Sequence, residues 1–168
     1  EIPSHVAILT ADFDHYSLKE QIAFPRIIRH LHLDLLFSPH FNVPYFCPVP
    51  FVVTIHDLIL HRYPNQTSKI KQIAYRILMK RAVTNAQKII AVSAYTQSEL
   101  ISVYGKSIAS KISTVTEGVS PLFSSSPALN VQKKYSIPTD YILYVGNAKQ
   151  HKNVQMLIDA HAQVSDAP

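Results

Sequence analysis

Short apolar runs of four or five residues recur along the chain, each followed by a longer segment with helical spacing, and this alternation limits the fold most. The runs at 33–37, 51–55, 88–92 and 112–116 read as strands, and 51–55 carries the β-branched and aromatic make-up of a strand covered on both faces. A run at 6–9 reads as a further strand before them. Strands alternating with helices predict βαβ units around a parallel sheet, so the fold class is α/β. In such a sheet ligands bind outside the carboxyl ends of the strands.

The helices carry their own signals. Ser17 with Glu20 three residues on forms a capping box that opens a helix through Leu31, with Pro25 expected to bend it or delay its start. The spacing of Ile70, Ile73, Ile77 and Leu78 predicts an amphipathic helix over 68–87 with those residues on its apolar face. Ser93 caps a helix over 95–104, which Gly105 closes. Between two of the strands, 38–50 holds four prolines, and such a loop is costly to order unless it lines something.

The Ser- and Pro-rich stretch 120–130 has the composition of a linker, and the alternation restarts after it. A strand at 141–145, a polar turn at 146–153 and a helix at 154–164 follow. One βα unit cannot bury its own faces, so a second domain is expected to be incomplete here. A start at Glu1, without Met or a signal region, also reads as that of a fragment.

A length of 168 residues at 47% hydrophobic suits one globular domain plus a piece of another. The net charge of +5 favours an anionic small ligand or a loose encounter with a membrane surface over nucleic acid, because dense basic clusters are few. Cys47 is the single cysteine, which excludes an internal disulfide framework and a Cys-rich zinc site and fits a reducing cytoplasm. No apolar run approaches the ~20 residues of a membrane span.

Four strand ends carry polar or small residues: 38–42 with Asn42, His56 with Asp57, Ser93, and Glu117 with Gly118. In one parallel sheet all four ends open on the same edge and form a cleft. Asp57 and Ser93 also suit plain helix caps, Gly118 a turn, and His56 a satisfied core histidine. At a strand end, however, an imidazole can hydrogen-bond a sugar hydroxyl or stabilise developing charge. In YILYVGNAKQHKN, Gly146 permits close backbone approach, a helix N-terminus follows, and Lys149 and Lys152 add positive charge. These features suit a diphosphate. The chain has neither a Walker pattern nor a GxGxxG fingerprint. His30 and His32 point to different helix faces, no HExxH pattern occurs, and Cys47 lacks a charged neighbour, so neither a metal site nor a catalytic thiol is expected.

The succession SPHFNVP, PFVVTIHDLIL, KIIAVSAYTQSEL, TEGVSPLF and YILYVGNAKQHKN resembles the family 4 glycosyltransferases, and most closely their bacterial mannosyltransferase-like branch. The resemblance implies a two-domain GT-B fold. Residues 1–122 would form a partial Rossmann-like acceptor-side domain, 123–140 the interdomain linker, and 141–168 the start of the nucleotide-sugar domain. It further implies a retaining transfer of a hexosyl, mannosyl in that branch, from a nucleotide diphosphate sugar to a glycan or lipid-linked acceptor, without metal or cofactor. The setting would be the cytoplasm, in peripheral contact with the inner face of the membrane. On this resemblance His56 is the catalytic histidine facing the donor sugar, Lys152 grips the diphosphate, and Gly146 opens the phosphate turn. Asn147 stands where many members carry an arginine, so some of the charge is expected to come from Lys149, from His151 or from the missing part. Ser93, Glu117 and Gly118 match motif positions near the cleft. The family's glycine-rich loop would lie before Glu1 and its paired glutamates beyond Pro168, so this piece alone is expected not to turn over. A reading from a different class is a Rossmann-like sugar or nucleotide binder, or an interaction module, without transfer activity.

Overall fold

The computed structural model describes residues 3–121, 123 and 131–164. The chain divides into two compact units, Glu1–Gly118 and Val119–Pro168. The first holds a four-stranded, fully parallel sheet: β1 (Leu36–Ser38), β2 (Phe51–Ile55), β3 (Lys88–Ala91) and β4 (Ile112–Thr114), in that spatial order. The register pairs Leu36 with Phe51, Val53 with Ile89 and Ala91 with Thr114. Parallel neighbours need long crossovers. The Pro-rich stretch 39–50 joins β1 to β2, α2 (Ile59–Arg62) and α3 (Lys69–Asn85) lead to β3, and α4 (Ala94–Tyr104) leads to β4.

Central position explains the composition of β2. Phe51, Val53, Thr54 and Ile55 are buried, and Val53 meets Ile89, Met79, Val83 and Leu100 in one core cluster. Burying each of these larger side chains contributes roughly 1.5–3 kcal/mol against leaving it in water. Local signals set the helix ends. Before α1 (Leu18–His30), the Ser17 hydroxyl accepts from Glu20 N–H at 3.0 Å, and Pro25 lies within the helix, buried. Before α4, the Ser93 hydroxyl accepts from Thr96 N–H at 3.1 Å, and Gly105 closes that helix at φ 89°, where a side chain would be strained.

The face that α3 buries is not the expected one. Tyr75, Met79, Ala82 and Val83 face the core, Leu78 is half-buried, and Ile70, Ile73 and Ile77 are exposed. At 3.6 residues per turn the helix carries two apolar stripes on opposite sides. The buried stripe includes Ala82, whose small side chain lets the helix approach the sheet closely. Beneath α3, His61 lies between two tyrosines, with Nδ1 3.0 Å from the Tyr75 hydroxyl and Nε2 3.1 Å from that of Tyr104.

Two expected strands are not formed. Residues 6–9 are unpaired and exposed, and no described strand lies outside β1. Residues 141–145, in the second unit, are also unpaired and exposed. A strand exists only through its ladder, and an apolar run without a neighbour gains none of those bonds. The expected βα unit is therefore present only as its turn and its helix, α6 (Val154–Ala162). The second unit also contains α5 (Val131–Tyr135), within the stretch read as a linker, whereas 124–130 of that stretch lie outside the described residues.

Candidate functional site

Because the four strands are parallel, their carboxyl ends share one edge of the sheet, and the polar residues expected there come from three loops. His56 follows β2 directly. Its Nδ1 lies 2.9 Å from Glu117 Oε1 beyond β4, and its Nε2 lies 2.9 Å from the Pro39 carbonyl beyond β1. A carbonyl can only accept, so Nε2 carries a hydrogen. A carboxylate also only accepts, so both contacts are hydrogen bonds at once when the ring is an imidazolium. The half-exposed imidazole also stacks loosely on His40, with centroids 6.4 Å apart at 27°.

Beneath the ring a relay fixes the backbone. Buried Thr96 donates its hydroxyl to the His56 carbonyl at 3.1 Å, and Ser93 Oγ lies 3.1 Å from Thr96 Oγ1 while capping α4. Ser93 therefore serves both as the plain cap and as a support of the site. Sequence reasoning missed Thr96, although its place three residues after the cap was the available signal. Asp57 keeps its plainer role, with Oδ1 accepting from Ile59 N–H at 2.9 Å where α2 begins. Gly118 is exposed, and nothing lies within 4 Å of where a Cβ would stand. Cys47 is half-buried against the core with its thiol 3.4 Å from the Val49 carbonyl.

A second cluster adjoins the first through His40. Glu20 is buried, yet its carboxylate does not close the capping box on Ser17 N–H. It accepts instead from Tyr16 N–H at 2.7 Å and from Asn42 Nδ2 at 2.8 Å. A pocket of about 410 Å³ opens over this group, lined by Tyr16, Glu20, Phe24, Ser38, His40 and Asn42 among others. Burial, and then the nearby His56, push the His40 imidazole below its ordinary range, with Asp57 opposing. Asn42 thus belongs to this pocket. Sequence reasoning used Glu20 only as a helix cap and did not place Tyr16 or His40 in a site, because the contacts from Glu20 to Asn42 and from Tyr16 to His40 join segments more than 20 residues apart.

The turn at 146–153, where phosphate contact is expected, lies in the second unit. The Tyr144 hydroxyl donates to the Asn147 carbonyl at 2.9 Å, and Asn147 Oδ1 accepts from Lys149 N–H at 3.3 Å. A Cβ at Gly146 would come within 2.6 Å of the Tyr144 hydroxyl, so the closed turn requires glycine or displacement of that ring. Lys149 and Lys152 are exposed on a single 3₁₀ turn that leads into α6. No side chain caps α6. Asn153 stands at φ 50° before it and turns its amide to Met156 Sδ at 3.2 Å. The first N–H groups of α6 therefore have no side-chain cap, and the turn that carries Lys149 and Lys152 leads directly into them.

Residues 2–121 match the profile of Glycosyltransferase Family 4. Among solved structures, the chain is similar to Anabaena Alr3699/HepE, determined in complex with UDP and glucose, with a TM-score of 0.64 and 19% identity over 90% of this chain. The match covers 43% of that protein, so this chain spans less than half its length. At that identity the likeness shows a shared fold. No curated protein matches the chain.

Proposed function

Because the chain belongs to glycosyltransferase family 4, we propose that it works as part of a longer retaining enzyme that moves a hexosyl unit from a nucleotide diphosphate sugar to a glycan or lipid-linked acceptor. The observation that carries this reading is the position of His56, at the carboxyl end of the central strand, held between Glu117 and the Pro39 carbonyl. There the ring, held in one orientation by Glu117 and the Pro39 carbonyl, can orient the donor sugar for the step that breaks the glycosidic bond. Lys152, Lys149 and the uncapped start of α6 suit the departing diphosphate, and Gly146 lets the backbone approach it. A nucleotide-sugar donor also agrees with the UDP and glucose bound to HepE.

In this reading mannose is the first sugar to test, and no metal or organic cofactor takes part. The enzyme acts on polysaccharide or lipid-linked intermediates in the cytoplasm, in peripheral contact with the membrane's inner face. The test is transfer by the full-length protein from UDP- and GDP-hexoses to a glycan acceptor, with the anomeric configuration of the product read by NMR. A product of the donor's own configuration supports the proposal. An inverted product overturns retention. Tight nucleotide binding without transfer would make the protein a binding module instead.

A further inference from the structure

The outer face of α3 has a composition that the sheet does not explain. Ile70, Ile73 and Ile77 are 81%, 59% and 51% exposed and form one ridge opposite the buried Tyr75, Met79 and Val83. The helix carries Lys69, Lys71, Arg76, Lys80 and Arg81, and neither Asp nor Glu. Arg81, one turn beyond Ile77, joins the ridge to a pair of exposed aromatics. Its Nε donates to the Tyr45 carbonyl at 3.0 Å, and its guanidinium carbon lies 5.7 Å from the Tyr45 ring centroid. Tyr45 in turn packs edge-on against Phe46, with centroids 5.0 Å apart, and Phe46 is 75% exposed.

We propose that this surface, the Ile70–Ile73–Ile77 ridge with Tyr45 and Phe46, docks on an anionic lipid bilayer. It rests on the membrane contact in the reading above but not on the transfer chemistry. An apolar ridge on a helix whose charged residues are all cations is what interfacial binding needs: the isoleucines enter the acyl boundary while Lys and Arg stems reach up to the phosphates. Tyr45 adds a ring with a polar tip, suited to the headgroup level. A second copy of the chain fits less well, because a two-fold interface would set the same five cations face to face. No helix of the described residues is long and apolar enough to cross a membrane, so the contact lies along the surface.

The test is co-sedimentation of the chain with vesicles of phosphatidylcholine alone and with about 30 mol% phosphatidylglycerol. The expected result is binding to the anionic vesicles only, weakened by salt. It should fall at least about tenfold in Ile73→Ser/Ile77→Ser, and also in Lys69→Gln/Lys80→Gln. All four positions are exposed, and circular dichroism checks that the variants fold. Equal binding by variant and parent chain, or no binding to either vesicle, overturns the proposal. Concentration-dependent self-association abolished by Ile73→Ser/Ile77→Ser would assign the face to a second copy. Nucleoside diphosphate titration without vesicles keeps the outcomes separate, because the docking variants should bind nucleotide like the parent chain whether or not the lipid surface is real.

Discussion

His56 Nδ1 lies 2.9 Å from Glu117 Oε1, a contact between the ends of two strands that are not neighbours in the sheet, with β3 between them. Pro39 completes the bridge from the other side of β2. Three loops thus converge on one imidazole, and its orientation does not depend on its own rotamer preference alone. Such pre-orientation matters most for a group that acts on charge appearing only in the transition state.

His56→Ala in the full-length enzyme is therefore expected to lower kcat by about a hundredfold or more, with a much smaller change in donor KM. Glu117→Gln keeps the shape and removes the carboxylate charge, and should lower kcat less, by about tenfold. Steady-state kinetics on both variants checks the order. An unchanged kcat in a folded His56→Ala would leave the ring a structural histidine.

The relay beneath the ring gives a stability prediction. Ser93→Ala removes the cap of α4 and one partner of Thr96, and Thr96→Val leaves the His56 carbonyl without its buried donor. Each should cost about 1 kcal/mol, within the range seen for lost caps and lost hydrogen bonds. Urea denaturation of this chain measures both. The double variant should fall short of the sum, because the two hydroxyls share one bond.

How much of this was legible in the sequence depends on the range of the signal. The caps Ser17 and Ser93 and the terminator Gly105 act within one turn of their own residues, and the structure places all three where local reasoning does. The outward stripe of α3 misled because Ile70, Ile73 and Ile77 are more apolar than Ala82, and only the sheet decides which side is covered. The run 141–145 has strand composition, but pairing comes from a neighbour, which composition does not report. Asn42 and Glu20 are 22 residues apart, and His56 and Glu117 are 61 apart. Contacts of that separation are fixed by topology, so the sequence could mark the strand ends as one edge but not which groups would touch.

Acid should weaken the first unit through His61. Burial, and then Arg76, hold its imidazole below the ordinary value of 6.5, with Glu99 opposing. The Tyr104 hydroxyl against it is pushed up to about 12 by burial. A neutral ring donates through one nitrogen and accepts through the other, which suits two tyrosine hydroxyls. Because the folded-state value is depressed, the unfolded chain binds the proton first. The contribution is fully present above about pH 6.5 and is lost as pH falls through the lower folded-state value. His40, shifted the same way, adds to the slope. Urea midpoints should fall between about pH 7.5 and pH 5.5, and His61→Gln should flatten that dependence even though it lowers stability at neutral pH.

Lys152 gives the sharpest test of the second unit's role. Its ammonium and the uncapped N-terminus of α6 are two favourable terms for a single anion, and Asn147 supplies no charge of its own. A hydrogen bond to a charged group typically changes affinity by about one to two decades. In the full-length protein, Lys152→Ala should therefore weaken a nucleoside diphosphate by that amount and leave the free nucleoside nearly unchanged. Lys149→Ala should weaken it less, because a second cation remains. Calorimetric titration of each variant with both ligands reads the difference directly. Equal losses for nucleoside and nucleoside diphosphate would mean that Lys152 does not meet phosphate, and the assignment of residues 146–153 to the donor would fall with it.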